Sequence, residues 1–209
     1  MIYKVSRKKA SVAASEFVER YRDPERMASM CGECPSFAKS WGCPPHDFNV
    51  ASVSDGYATV ELMATIIEFD EQVRASCRAR AKTREVAERA MKEVLGTLLP
   101  EMYEMERQVP GSRCFTFRCR MCPEGCTRPL GQPCRFPERL RYSLEAVGFD
   151  VTAAAQDILG ISLEWSKDGS LPRHITLITA LMIPLASFVE HKEHRHHEAH
   201  KGSQVIPAQ

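Results

Sequence analysis

The cysteines constrain this chain more than any other feature of its sequence. Nine of its 209 residues are cysteines, and an odd number cannot all be paired in disulfides within one chain. A chain of this length can bury a core large enough to fold without covalent cross-links, which much smaller domains need. The cysteines therefore require an explanation other than structural disulfides.

The N-terminal residues indicate the compartment. Residues 1–21 carry basic side chains but no continuous apolar stretch, so they do not resemble a secretory signal. The longest apolar stretch, 175–189, is too short to span a membrane and contains Pro184. We therefore expect a cytoplasmic protein with no membrane association. In that reducing compartment, clustered cysteines indicate metal or redox ligands rather than disulfides.

Composition and charge exclude several function classes. The chain has 28 Lys and Arg against 27 Asp and Glu, a formal net charge of +1. This balance argues against a globally basic nucleic-acid binder and against an acidic disordered chain. No glycine-rich nucleotide-binding motif and no Ser/His/Asp set is present in the sequence. Because of the charge balance, nucleic acid is not an expected partner.

The hydrophobic pattern predicts an α/β or α+β sandwich, in which a small mixed sheet with helices carries two Cys-rich metal-binding loops. We expect one metal-binding domain over residues 1–189 and a flexible, His-rich tail over 190–209, whose histidines could bind metal adventitiously. Pro100 is expected to break or kink a long helix. The predicted strands are 2–5, 58–69, 114–118 and 174–183, and the predicted helices are 14–22, a short one near 48–54, 70–108, 138–147 and 152–158.

The first cysteine loop, residues 31–47, contains Cys31, Cys34 and Cys43, which we call the three-cysteine set. Two residues between Cys31 and Cys34 allow one turn to direct two sulfurs at one metal. His46 is a candidate additional ligand. Three thiolates and a histidine fit a zinc site, and three thiolates also fit an iron–sulfur cubane whose fourth iron is held by another group. Unrelated buried thiols are the simpler alternative.

The second cysteine loop, residues 119–137, is denser. It contains Cys119, Cys122, Cys126 and Cys134, the four-cysteine set, which is enough for a closed site. The spacing lacks the paired knuckles of ordinary zinc ribbons. Cys114 precedes this loop in a strand-like run, so it is either a core residue or a further ligand. Cys77 lies alone at helical spacing, which is typical of a small core side chain.

Arginines surround the second loop. Seven lie between residues 111 and 141, against two acids, Glu124 and Glu138. Guanidinium groups would stabilise an anionic iron–sulfur cluster, and they could equally hold a small anionic substrate or dock an acidic redox partner protein. A solvated basic face is the alternative that needs no ligand. The arginines are at positions 113, 118, 120, 128, 135, 139 and 141.

The combined motifs resemble a known family. CGECPSF at 31–37 with WGCPP at 41–45, the Cys119-to-Pro137 spacing, and RYSLEA through GFDV at 141–151 are similar to motifs of the DUF2284 family of predicted metal-binding proteins. The resemblance extends over residues 31–184. It implies metal binding through these cysteines and does not imply a particular reaction.

Three hypotheses follow from these patterns. The first is an iron–sulfur electron-transfer protein with one or two [4Fe-4S] clusters, one held by the four-cysteine set. The second is an iron–sulfur enzyme whose three-cysteine set leaves one iron open to a small anionic substrate. The third is a zinc-stabilised interaction module. Ligand sets of four and three favour the two iron–sulfur hypotheses over the zinc module, because structural zinc sites are normally closed. We prefer the first hypothesis, followed by the second.

Overall fold

The protein is built on a four-stranded sheet with helices on both faces. The computed structural model describes residues 2–117, 119, 121–166 and 168–185. Short 3₁₀ turns occupy Val50–Ser54, Arg128–Leu130, Pro137–Arg139 and Glu145–Val147. The strands and α-helices are, in chain order, β1 (Tyr3–Ala13), α1 (Ala14–Tyr21), α2 (Pro24–Gly32), β2 (Tyr57–Phe69), α3 (Glu71–Ser76), α4 (Arg80–Gln108), β3 (Arg113–Phe115), α5 (Val151–Leu159) and β4 (His174–Pro184).

The sheet has the strand order β1-β2-β4-β3, and each of these three pairings is antiparallel. The predicted mixed α/β fold class is confirmed. The strands themselves run antiparallel where the sequence analysis expected a mixed sheet. Hydrophobic patterning indicates which segments are strands, but it carries little information on the direction in which distant strands pair.

Strand β1 is longer than expected. It continues to Ala13 instead of ending near Val5, and most of its side chains are exposed. Its sequence, YKVSRKKASVA, has too few apolar residues to give an alternating pattern. Charged residues are typical of edge strands, where they discourage pairing with other chains. The backbone pairs with β2 throughout its length, from Tyr3 opposite Phe69 to Ala13 opposite Thr59.

Two hydrophobic cores cover the two faces of the sheet. On one face, α1 and α5 bury Phe17 and Ala154 against Leu62 of β2. On the other face, α4 buries Val94 and Leu98 against Leu177 and Leu181 of β4. Strand β2 contributes to both cores, as expected for a strand covered on both sides.

The helical predictions were partly wrong. Helix α4 continues through Pro100, and the interruption falls earlier, between α3 and α4. Cys77 directly follows α3 and is 3 % exposed, so it is a core residue as expected, although it does not lie on the long helix.

The helix predicted at 138–147 is absent from the described structure, which has only short 3₁₀ turns there. Between these turns, the carbonyl of Tyr142 accepts a hydrogen bond from the N–H of Thr116 at 2.9 Å. This pairing with the chain after β3 competes with helix formation, because the same backbone groups cannot serve both.

Some predictions concern residues that the structure does not describe. The tail 190–209, the domain boundary at 189, Arg118 and Arg120 are among them. Of the helices in the described part of the chain, none combines the length and the apolar character needed to cross a membrane.

Candidate metal centre

The first cysteine loop begins inside a helix. Cys31 lies in the last turn of α2, whose start is fixed by Asp23: its side chain accepts a hydrogen bond from the Arg26 N–H. Successive turns follow, with the Cys34 N–H donating to the Cys31 carbonyl at 3.0 Å and the Phe37 N–H to the Cys34 carbonyl at 2.9 Å. These turns keep Cys31 and Cys34 near one another as the helix ends.

The two cysteine loops pack directly against each other. Gly42 of the first loop faces Cys119 of the second so closely that a Cβ at position 42 would lie 3.0 Å from the Cys119 Cβ and 3.2 Å from the Arg141 carbonyl oxygen. Only glycine fits this approach without displacement. The sequence left open whether the two motifs meet in space, and the structure places them side by side.

Arg128, which lies in the second cysteine loop, binds the backbone of the first loop. Its guanidinium donates to the carbonyl oxygens of Ser40 at 2.8 Å, of Pro45 at 2.6 Å and of Cys43. The same group lies over the Trp41 ring, 5.2 Å from the ring centroid. One arginine therefore satisfies three carbonyls of the first cysteine loop, which has no strand pairing to satisfy them.

Trp41 extends the opposite way, from the first loop into the second. Its indole N–H lies 3.3 Å from the Thr127 hydroxyl and 3.1 Å from the Gln132 carbonyl oxygen. Thr127 is buried and donates in turn to the Pro133 carbonyl at 2.8 Å. The indole thus lies against the turn that separates Cys126 from Cys134.

Backbone N–H groups point at three of the predicted ligand sulfurs. The Ser36 N–H donates to Cys34 Sγ at 3.5 Å, and the Trp41 N–H donates to Cys126 Sγ at 3.4 Å. Burial raises the pKa of the Cys119 thiol, and hydrogen bonds from the backbone of Met121 and Arg141 act against that rise. Hydrogen bonds of this kind favour the thiolate form, which is the form that binds metals.

The members of each cysteine set influence one another. Burial raises the pKa of Cys31, and the nearby Glu145 carboxylate and the Cys34 and Cys43 thiols raise it further. Cys134 and Cys122 act on Cys119 in the same direction. The sulfurs are grouped but not assembled, because among the described residues no three His, Cys, Asp or Glu side chains are placed to hold one metal ion.

His46 lies in an aromatic pocket. Its Nε2 is 2.8 Å from the Ala146 carbonyl oxygen, its ring stacks on Phe48, and Tyr142 approaches it edge-on. Burial lowers the pKa of His46, which favours the neutral ring that donates from Nε2 to this carbonyl. Only Nδ1 then remains for a metal.

Cys114 is a fully buried residue of β3, in the hydrophobic core between the sheet and α4. Its backbone N–H donates to Glu106 Oε2 at 3.0 Å. Burial, together with a hydrogen bond to the Glu106 carboxylate, raises the pKa of the thiol to about 12. This environment favours a protonated core thiol over a metal ligand.

Several of the described arginines bind groups in or around the second loop and so do not form a free basic face. Arg113 donates to the Leu140 carbonyl at 2.8 Å and Arg135 to the Gly125 carbonyl at 2.9 Å. Arg141 forms a two-point ion pair with Glu106, with nitrogen–oxygen distances of 2.6 and 2.7 Å. Glu106 and Glu145 act on Cys114 and Cys31, but neither glutamate lies within a local sequence motif that would predict this.

Comparison with known proteins agrees with this picture at the level of the family. The model of the DUF2284 family, described as predicted metal-binding proteins, matches residues 18–183. This range contains all seven cysteines of the two sets. No curated protein and no solved structure matches the chain.

Proposed function

The chain belongs to the DUF2284 family of predicted metal-binding proteins, and we propose that the metal is iron, bound as iron–sulfur clusters by the seven cysteines of the two loops. The four-cysteine set would hold a [4Fe-4S] cluster, and the three-cysteine set would hold a second cluster or share the first. The proposed role is one-electron transfer with a redox partner protein in the cytoplasm.

The observation that supports this proposal best is the set of backbone N–H groups aimed at Cys34, Cys119 and Cys126. Hydrogen bonds to cluster sulfurs are among the factors that set cluster reduction potentials. The donors come from both loops, because Trp41 of the first loop donates to Cys126 of the second. A change of charge in one cysteine set would therefore alter the electrostatic environment of the other loop.

The burial of the thiols also fits a bound cofactor. Six of the seven cysteines of the two sets are half-buried, and Cys34 is exposed. Burial raises the pKa of Cys31 and of Cys119, so these thiols keep their protons at neutral pH until a cation displaces them. Binding would draw the grouped sulfurs together, and the described residues of the two loops form no strand pairing that would resist this movement.

The ligand numbers favour iron–sulfur clusters over zinc. Four cysteines close one site, whereas three leave a position open to another ligand. Structural zinc sites are normally closed, so two structural zinc ions would need a fourth ligand for the three-cysteine set. His46, the candidate from the sequence, could supply that ligand only through Nδ1, because its Nε2 binds the Ala146 carbonyl.

The test is a metal analysis of protein purified without oxygen. We expect iron and acid-labile sulfide in similar amounts, together with the broad visible absorption of an iron–sulfur cluster that bleaches on reduction with dithionite. A colourless protein with stoichiometric zinc and no sulfide would contradict the proposal and would support the zinc-stabilised module instead.

A further inference from the structure

A groove of about 920 Å³ lies outside the contact between the two cysteine loops. It runs between the first turns of α4 and the segment that precedes β4. Much of its wall is apolar, with Met91 on α4, Phe117 after β3, Leu163 and Trp165 before β4, and Ile175 on β4. Its volume is in the range of pockets that bind small organic molecules.

The groove exists because β3 is short. Strand β3 pairs only with residues 180–182 of β4, so in the described structure residues 174–179 have no neighbouring strand on that side. Thr176 lies on this open stretch and lines the groove. Its buried hydroxyl has no hydrogen-bond partner among the residues that the structure describes.

Positive charge borders the groove. Arg80 and Arg84 line it from adjacent turns of the same face of α4. Arg84 is paired with Glu88 at 3.8 Å, with both side chains mostly exposed, so this pair leaves the guanidinium available to a ligand. Asp168 lies near Arg80 and offsets part of its charge.

The acidic residues that line the groove do not neutralise the two arginines. Glu164 is engaged elsewhere, since it accepts the Arg173 N–H at 2.8 Å and lies 3.4 Å from His174 Nδ1. Glu145 is the second acid that lines the groove, and it also raises the pKa of Cys31. The groove therefore combines an apolar wall with two arginines that are accessible from solvent.

We infer that this groove binds an amphipathic organic anion, with the acidic head group at Arg80 and Arg84 and the apolar body against Met91, Phe117 and Leu163. Trp165 is 69 % exposed beside the groove and would cover the apolar body. An exposed aromatic side chain next to an apolar cavity is typical of a binding surface. The two arginines select for an acid over a neutral molecule of the same shape.

The position of the groove connects it to the three-cysteine set. Glu145 lines the groove and also acts on the thiol of Cys31. A ligand in the groove would therefore share Glu145 with the surroundings of the proposed three-cysteine site. Its role as a substrate or effector of that site rests on the proposed function, whereas the binding itself does not.

The experiment uses two fluorescent probes of nearly the same shape. 1-Anilinonaphthalene-8-sulfonate carries an acid group, and N-phenyl-1-naphthylamine lacks it. Titration of the full-length protein should show saturable binding of the sulfonate probe with energy transfer from Trp165. The double variant Arg80→Gln/Arg84→Gln should weaken binding of the sulfonate at least tenfold and change binding of the neutral probe less than twofold.

Two control variants make the result specific. Arg89→Gln removes an exposed arginine of α4 that does not line the groove, and it should leave binding of both probes unchanged. Trp165→Phe should abolish most of the energy transfer, while Trp41 in the first cysteine loop remains. Absence of saturable binding, or equal loss in Arg89→Gln and in the double variant, would overturn the inference. Because metal-free protein can be used, this outcome is separate from the test for iron.

Discussion

The backbone N–H of Trp41 donates to the sulfur of Cys126 at 3.4 Å, across 85 residues of sequence. This hydrogen bond joins the two cysteine loops at a predicted ligand. Arg128 joins them a second time through the carbonyls of Ser40, Cys43 and Pro45. The two cysteine loops therefore pack as one unit. A substitution that displaces one loop should also disturb the structure of the other.

Replacement of Gly42 by alanine tests the contact between the loops. The added Cβ would lie 3.0 Å from the Cys119 Cβ, so the loops must separate. We expect the free energy of unfolding to fall by about 1–3 kcal/mol, as for other overpacked sites. Iron bound per chain should also fall. Gly32→Ala is the matched control, because a Cβ there meets no atom within 4 Å. Equal behaviour of the two variants in denaturant titrations would show that the contact does not matter.

The ion pair between Glu106 and Arg141 should contribute strongly to stability. Both side chains are nearly buried, at 13 % and 12 % exposed. Burial alone would raise the pKa of Glu106, but hydrogen bonds from Arg141 and Cys114 hold it below the usual range. Glu106→Gln leaves a buried guanidinium without its counter-charge, and we expect a loss of about 3–5 kcal/mol.

The control for this change is two residues earlier on the same helix. Glu104 pairs with Arg107 at the surface, so Glu104→Gln should alter the free energy of unfolding by less than about 0.5 kcal/mol. Urea titration of both variants measures the difference. A loss from Glu106→Gln no larger than that from Glu104→Gln would show that the buried pair is energetically neutral.

The stability of the fold should fall at alkaline pH because of Cys114. Burial raises the pKa of this thiol from its ordinary value of 9.0 to about 12. The folded state therefore retains a proton that the unfolded state loses, so the contribution is complete below about pH 9 and is lost as the pH rises towards about 12. Cys114→Ala should make the free energy of unfolding less dependent on pH in that window.

The pH window also separates Cys114 from a neighbouring group. Burial raises the pKa of Tyr103 from 10.0 to about 12, so its contribution begins above that of the thiol. Chemical denaturation between about pH 9 and 10 thus reports mainly on cysteines. An identical pH dependence in the wild type and in Cys114→Ala would contradict the assigned environment of this thiol.

Local signals in the sequence predicted local structure well. An Asp-Pro pair is a local signal for a helix start, and at the start of α2 the Asp23 carboxylate accepts the Arg26 N–H at 3.1 Å. Strand β2 was found because its apolar residues meet a core on each face. The clustering of cysteines likewise indicated the region of the candidate site before any fold was known.

Contacts between distant residues could not be predicted in this way. The Glu106–Arg141 pair spans 35 residues, and neither position has a distinguishing neighbourhood in the sequence. The helix expected at 138–147 was lost to pairing of Tyr142 with Thr116, which depends on where β3 lies. Arg128 was interpreted as part of a basic face, because its carbonyl acceptors lie 83 to 88 residues away.

The most direct test of the account is the iron and sulfide content of Cys126→Ser compared with Cys77→Ser, both purified without oxygen. Cys126 is a predicted ligand that accepts the Trp41 N–H, whereas Cys77 is a buried core thiol. Cluster binding by the four-cysteine set predicts that Cys126→Ser loses at least half of the iron and sulfide of the wild type and that Cys77→Ser retains both. Full iron and sulfide in Cys126→Ser, or zinc without sulfide in the wild type, would contradict it.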